Sequence, residues 1–200
     1  PGIYSLTSYT IEEKVTRKCI EDGGVDVIIN VADASALERS LYLTLQLLEL
    51  NLPMVLALNM MDEVRANGGT VNVKKLSESL GIPVIPISAA KNEGVSELAD
   101  KMVYVAKNRI LPKRIDFCSD GPVHRCIHSV AHVIEDHARN ISVPPRFCST
   151  KLIEGDEYFA DKLELDKNER ELIEHSVVEM EHDTGLDRNA ALADMRYTFI

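Results

Sequence analysis

Three short apolar segments alternate with helical patterns in the first half of the chain, and this alternation restricts the fold more than any other feature. The segments are VDVIINVAD at 25–33, LPMVLALN at 52–59 and IPVIPIS at 82–88. Their lengths and aliphatic side chains are typical of buried strands, and the first is predicted to be buried on both faces. The helical patterns lie at 37–51, 72–81 and 94–110. Because strands that alternate with helices build parallel sheets, we predict an α/β unit for residues 1–110.

The remaining residues, 111–200, contain no convincing strand pattern and are predicted to form a helical domain. The stretch LPKRIDFCSDGP at 111–122 marks the change in composition. Helices are predicted at 122–140, 145–156, 168–185 and 187–200. In the third of these helices, the spacing of the apolar residues predicts that the inward side is formed by Leu172, Ile173, Val177 and Met180.

The composition disfavours several kinds of binding partner and site. Lys and Arg number 22 against 32 Asp and Glu, and the net charge of −10 argues against binding to a nucleic-acid backbone. The four cysteines include no C-x-x-C pair, which disfavours a zinc knuckle or a redox motif. No apolar stretch reaches the roughly 18 residues that a membrane span requires. Pro1 is not a translation start, so we expect the chain to be a piece of a longer protein.

Polar residues follow the last two predicted strands, at the edge of a parallel sheet where ligands bind. Asn59 and Asp62 stand three positions apart in ALNMMDE, and the loop SAAKNEG at 88–94 follows the next strand. A carboxylate can accept the two parallel donors of a guanine ring, N1–H and the 2-amino group. An amide NH₂ and loop N–H groups suit the acceptors O6 and N7, and methionine offers a polarizable face to a ring. The combination indicates a guanine site.

Two other interpretations of these strand ends stay open. Asp62 and Glu63 are also suited to capping a helical turn after the strand, with no ligand involved. Asp33, at the end of the first strand, is the residue type that accepts phosphate in a receiver domain, with Lys91 as a basic partner. An S-A loop about 30 residues after an N-x-x-D motif favours guanine over both.

The chain resembles the cytosolic part of ferrous iron transport protein B, a bacterial Fe(II) transporter with a fused G domain. The matching stretches are PGIYSLTSYTIEEKV at 1–15, DVIINVADASALERSLYLTLQLLELNLPMVLALNMMDE at 26–63, GIPVIPISAAKNEGVSEL at 81–98 and ADMRYTFI at 193–200. The resemblance implies an incomplete P-loop GTPase-like (Ras-like) parallel sheet at 1–110. It also implies a small all-α spacer domain, of the GDI-like kind, at 111–200.

The resemblance assigns nucleotide contacts to seven residues: Gly2, Asn59, Met60, Asp62, Ser88, Ala89 and Ala90. Asn59 and Asp62 would form the base-specificity box, with Met60 where many G proteins have lysine. The serine and the two alanines would support the base through backbone N–H groups. Gly2 would close the D-x-P-G box and face the γ-phosphate.

Cofactors and partners are implied by the same resemblance. They are a guanine nucleotide, GTP or GDP, with Mg²⁺ in the complete domain, and the transmembrane Fe(II) channel domain of the same polypeptide. GTP binding and hydrolysis would gate Fe(II) uptake at the cytoplasmic side of the bacterial inner membrane. No G-x-x-x-x-G-K-[ST] motif occurs in the 200 residues, so the phosphate loop is expected upstream of Pro1. For this chain alone we expect weak or absent nucleotide binding, no catalytic residue, and self-association through the strand at 25–33.

A row of histidines on the predicted helix 122–140 supports an alternative function. His124, His128 and His132 recur every four residues and therefore fall on one face, and such pairs can chelate Zn²⁺ or Fe²⁺. The alternative is a non-catalytic helical binding or scaffold module that holds a metal. A partly exposed polar face without metal explains the same pattern, and we assign no residue as a metal ligand.

Overall fold

The structure is a computed structural model that describes residue 3, residues 5–6, residue 15 and residues 24–200. The chain divides into two compact units, Pro1–Ile115 and Asp116–Ile200, each of which is described by itself. Strands and helices are numbered in chain order within the described residues. Gly2, which the sequence assigns to the nucleotide site, lies outside them.

The described part of the first unit is built on a three-stranded parallel sheet. The strands are β1 (Ile28–Asp33), β2 (Met54–Asn59) and β3 (Val84–Pro86), in the order β1-β2-β3. In the register of this sheet, Asp33 lies beside Asn59, so β1 and β2 end at the same level. The predicted parallel α/β arrangement is therefore confirmed.

Within the described residues, four α-helices accompany these strands, and local sequence signals explain both ends of one of them. They are α1 (Leu37–Leu48), α2 (Met61–Ala66), α3 (Val73–Leu80) and α4 (Val95–Lys107). The side chain of Asn72 accepts a hydrogen bond from the Lys75 N–H at 2.9 Å and caps α3, and Gly81 ends that helix in the left-handed conformation. The short helix α2 was not among the predicted helices.

Apolar side chains of β2 and β3 pack with α4 to form a core in this unit. Its buried members are Val55, Ala57, Ile85, Ile87 and Val105. β2 is buried almost throughout, as predicted for the apolar segment 52–59. The core holds the carboxyl ends of β2 and β3 side by side, which positions the loops that follow them.

The prediction that the first strand is buried on both faces is wrong. Asn30 and Ala32 are buried, but Ile29 and Val31 are 41% and 60% exposed. Alternate side chains of a strand point to opposite faces, and α1 packs against β1 on one side. β1 also lies at one edge of the three described strands, which leaves an apolar surface beside an edge.

The second unit is helical throughout its described elements. These are α5 (Pro122–Asn140), α6 (Pro145–Ile153), α7 (Glu157–Lys162), α8 (Lys167–Thr184) and α9 (Arg188–Phe199). Asp166 and Glu169 form a reciprocal capping box at the start of α8. Within the described residues, no helix combines the length and apolarity that a membrane crossing needs.

Two details of the second unit differ from the sequence prediction. The helix predicted at 145–156 ends at Ile153, because Gly155 takes the left-handed conformation and a separate short helix follows. Leu172 was predicted to point inward but is 58% exposed, whereas the other three predicted inward residues of α8 are buried. Adjacent positions 172 and 173 lie about 100° apart on a helix, so the packing of Ile173 turns Leu172 toward solvent.

Candidate functional site

The stretch ALNMMDE forms a sharp strand-to-helix turn. Asn59 is the last residue of β2, and Met60 takes the left-handed conformation with φ of 65°. That conformation is unfavourable for a residue with a side chain and is common at functional sites. Because it redirects the chain at once, Asp62 falls in the first turn of α2, next to the strand end that carries Asn59.

The loop after β3 is a compact turn with its own hydrogen bonds. Ser88 is buried, and its N–H donates to the carbonyl of Glu93 at 3.0 Å. A short 3₁₀ turn follows at Ala89–Lys91, and Gly94 closes the loop with φ of 72°. A Cβ atom on Gly94 would collide with the carbonyl oxygen of Pro86, so this close approach requires glycine.

Several contacts join the two loops directly. The Ala89 N–H donates to Asn59 Oδ1 at 3.0 Å, and Lys91 Nζ lies 3.3 Å from Asp62 Oδ2. Arg65 and Glu93 form an ion pair across the same gap. The Met61 N–H donates to the carbonyl of Ile87 at 3.2 Å. These contacts hold the turn after β2 and the loop after β3 together in one polar cluster at the carboxyl ends of the two strands.

The environment of Asp62 favours the ionised carboxylate. The Ser88 side chain and the nearby Lys91 ammonium lower the pKa of Asp62 below its ordinary value, against a smaller opposing effect of burial. The Ser88 hydroxyl is nevertheless buried and meets the distance and angle limits of a hydrogen bond with no described group. Asp62 is thus a negatively charged acceptor, and its ion-pair partner among the described residues is the exposed side chain of Lys91.

The structure brings six of the seven predicted nucleotide residues together, and only Gly2 lies outside the described residues. The two strand-end loops hold Asn59, Met60, Asp62, Ser88, Ala89 and Ala90. Sequence reasoning did not assign Lys91 to this site, although the letters SAAKNEG place a cation in the loop. The pairing of Lys91 with Asp62 depends on how the two loops fold against each other.

Asp33, at the end of β1, caps the turn that follows it. Its Oδ1 accepts hydrogen bonds from the N–H of Ser35 at 2.8 Å and from the Ser35 hydroxyl at 2.7 Å. These bonds cap the 3₁₀ turn Ala34–Ala36. The geometry gives no support to the receiver-domain interpretation, which would need this carboxylate free to accept phosphate.

Of the three histidines predicted to share one face of a helix in the second unit, the structure groups only two. His124 and His128 lie together on α5, with ring centroids 4.3 Å apart. The carboxylate of Asp116, which the sequence did not indicate, joins them in a cluster. His132 is exposed and lies outside this cluster.

The fold is that of a Ras-like G domain followed by a helical domain. Solved structures of NFeoB from S. thermophilus share this fold over the whole chain. The form bound to GDP.AlF4⁻ and K⁺ is 35% identical with a TM-score of 0.88. The mGMPPNP-bound form is 36% identical with a TM-score of 0.84. The chain covers 76% and 74% of those two chains. Residues 1–102 match the family model of ferrous iron transport protein B, and residues 120–200 match that of the FeoB cytosolic helical domain. The chain belongs to the ferrous iron transport protein B family.

Curated relatives are much longer than this chain. An Fe(2+) transport protein A/Fe(2+) transporter FeoB fusion protein of Porphyromonas gingivalis is 34% identical over the whole chain, which covers 25% of that relative. The Fe(2+) transporter FeoB of Helicobacter pylori is 48% identical over 46% of the chain, which covers 14% of that protein. The chain therefore corresponds to a quarter or less of either relative.

Proposed function

We propose that this chain is the guanine-nucleotide-binding regulatory region of a ferrous iron transporter. The observation that supports this proposal most is that Asn59 and Asp62 lie next to the loop Ser88–Ala90, at the carboxyl ends of two neighbouring parallel strands. The likeness to NFeoB structures bound to GDP and to mGMPPNP supports the choice of a guanine nucleotide.

The proposed base contacts follow from the hydrogen-bonding capacity that remains at the site. Asn59 Oδ1 already accepts from Ala89, so the NH₂ group of Asn59 is the part left to donate to N7 or O6 of the base. Asp62 accepts N1–H and the 2-amino group. The Ala89 N–H is shared between Asn59 and the base oxygen O6, and the Ala90 N–H is a second donor in the same turn.

Two further side chains adjust when a base enters. Lys91 leaves Asp62, because the paired donors of guanine use both carboxylate oxygens; at 57% exposure the lysine has space to move. Met60 is 36% exposed and offers its thioether as an apolar surface for the ring. Asn59, Met60, Asp62, Ser88, Ala89 and Ala90 thus form the base end of the proposed site.

The phosphate end and Mg²⁺ belong to the complete domain in this proposal. The 200 residues contain no G-x-x-x-x-G-K-[ST], the motif whose backbone cradles phosphates and whose hydroxyl binds Mg²⁺. Gly2 is proposed to approach the γ-phosphate. In the whole protein, GTP binding and hydrolysis at the cytoplasmic side of the inner membrane would gate Fe(II) passage through the channel domain of the same polypeptide. The names of the relatives, which are Fe(2+) transporters, support the Fe(II) substrate in this proposal.

Replacing Asp62 with asparagine tests the base contacts. Asp62→Asn places an NH₂ group against the 2-amino group of guanine, whereas xanthine carries a carbonyl oxygen there. Because the substitution removes one charge-assisted hydrogen bond and sets two donors against each other, the affinity for GDP should fall on the order of 100-fold, and XDP should become the preferred ligand. Glu63→Gln is the matched control, because Glu63 is the exposed neighbour of Asp62 on the same helical turn.

The measurement is a competition of GDP against XDP at millimolar concentration, read from the amide signals of Ala89 and Ala90 by NMR. A version extended at its N-terminus with a phosphate loop provides the tighter binding needed to measure the full change. If Asp62→Asn keeps the preference for GDP, Asp62 does not contact the base. In that case the turn is only a strand end with a helix cap.

A further inference from the structure

A cluster of three side chains in the helical unit is suited to a metal ion. Asp116, His124 and His128 each offer one ligand atom, and the three atoms lie within 4.8 Å of one another. Asp116 Oδ2 and His128 Nε2 are 3.8 Å apart. Ligands about 2.0–2.1 Å from a tetrahedral zinc ion lie roughly 3.3 Å apart, so small side-chain rotations would close the cluster around an ion.

The backbone arranges these residues for a shared ligand. His124 and His128 are four residues apart on α5, which places one above the other on the same face. Asp116 lies in the segment before α5 and reaches this face from outside the helix. A site formed by a helical pair and one residue of a preceding segment has a fixed orientation, because α5 is anchored by buried residues such as Val130 and Ile134.

Asp116 is held by its other oxygen. Its Oδ1 accepts a hydrogen bond from the Cys118 N–H at 2.9 Å, and Arg146 Nη2 lies 2.8 Å from the same atom. Arg146 is only 10% exposed. Contacts of this kind orient the ligands in metal sites. The other oxygen, Oδ2, lies 3.8 Å from His128 Nε2 and is the atom that we assign to the cation.

A second observation concerns the imidazole ring of His124. The Nδ1 atom of His124 is buried and has no hydrogen-bond partner in the part of the chain that the structure describes. Buried polar atoms without partners are rare, and each one calls for an explanation. Nε2 of the same ring is 3.8 Å from the fully exposed carboxylate of Asp120, which supplies a further oxygen within reach.

We propose that Asp116, His124 and His128 bind a divalent first-row transition-metal ion of the Zn²⁺ type. Two imidazoles and one carboxylate suit Zn²⁺, Co²⁺, Ni²⁺ and Fe²⁺, whereas Mg²⁺ and Ca²⁺ prefer sites made of oxygen atoms. Three protein ligands on a partly exposed face leave positions for water or for another ligand. This site lies within the helical unit and does not depend on the nucleotide proposal.

The test is calorimetry of ZnCl₂ with the 200-residue chain at pH 7.5, in a buffer that does not bind metal. The visible absorption of bound Co²⁺ reports the coordination geometry independently of heat. We expect one equivalent to bind, and we expect Asp116→Asn, His124→Gln and His128→Gln each to weaken binding by about tenfold or more. A large excess of Mg²⁺ should not compete.

His132→Gln is the matched control, because His132 is an exposed histidine one turn further along the same helix. It should change the affinity less than about twofold. Far-UV circular dichroism verifies that each variant keeps its helices. The proposal is overturned if the wild-type chain binds no Zn²⁺, or if His132→Gln removes binding while Asp116→Asn leaves it intact. The first result would make the Asp116–His128 contact a simple ion pair, and the second would assign the metal to His128 and His132.

Discussion

Replacing Glu154 with glutamine should strongly destabilise the helical unit. Glu154 is 11% exposed and is the shared partner of two cations that are each 1% exposed. Lys151 Nζ donates to one of its oxygens at 2.7 Å, and Arg196 Nη1 donates to the other at 3.1 Å. The substitution Glu154→Gln removes the negative charge and leaves both cations buried.

The expected loss of unfolding free energy follows from the burial of these three charged groups. Removing one partner of a buried ion pair costs about 3–5 kcal/mol, because the remaining charge is not compensated. The glutamine oxygen can still accept one hydrogen bond, so we expect about 3 kcal/mol. For a unit of this size, that corresponds to a fall in Tm of roughly 12–24 °C.

Urea denaturation of the 200-residue chain, followed by far-UV circular dichroism at pH 7, measures this change. Glu135→Gln is the matched control, since Glu135 pairs with Arg139 at 3.2 Å but is 56% exposed. It should cost less than about 1 kcal/mol. Replacing all three buried residues with apolar ones, as Lys151→Met, Glu154→Leu and Arg196→Met, should recover most of the stability. Equal stabilities for Glu154→Gln and Glu135→Gln would refute the reasoning.

Glu154 should also make the stability of the helical unit depend on pH. Burial alone would raise the pKa of Glu154, but the charges of Lys151 and Arg196 outweigh it and lower the pKa below its ordinary value. A carboxylate with a lowered pKa stabilises the fold above about pH 4.3, the ordinary value of glutamate, and this contribution is lost as the pH falls through the lowered pKa. Acid should therefore destabilise the wild-type unit more steeply than the Glu154→Gln variant.

Three further predictions concern other parts of the chain. Gly94→Ala should cost about 2 kcal/mol or more in unfolding free energy, because the new Cβ meets a backbone carbonyl oxygen. Gly68 has a similar positive φ but lies in open space, so Gly68→Ala should cost clearly less. Equal costs for the two variants would show that the contact with the carbonyl oxygen is not the cause. His137 Nε2 donates to the Glu169 carboxylate at 2.8 Å, and this bond raises the pKa of His137 against a smaller opposing effect of burial. The stabilisation that His137 contributes is therefore full below about pH 6.5 and is lost as the pH rises through the raised pKa. His137→Gln should flatten urea-measured stability between pH 6 and pH 8, and an unchanged profile would exclude this role. The chain should self-associate through the exposed face of β1, and Val31→Lys should shift light scattering toward monomer; a wild-type monomer at high concentration would disprove it.

Local sequence patterns determined the order and type of most elements. The alternation of strands and helices predicted the parallel sheet. The helical pattern at 72–81 predicted α3, because its end signals, Asn72 and Gly81, act within one helical turn. The N-x-x-D motif and the S-A loop were also recognisable, since each belongs to a single turn of the chain. Their grouping at one edge followed from the parallel arrangement of the strands that precede them.

The tertiary structure alone decided which distant groups meet. Lys151 and Glu154 are near neighbours in sequence, but Arg196 joins them only because α9 packs against α6. Asp116 reaches the histidines of α5 from a segment with no periodic pattern. Periodicity describes one element at a time, whereas a contact between elements depends on how both are rotated and placed. For the same reason, the exposure of Leu172 and of Val31 could not be derived from their apolar character.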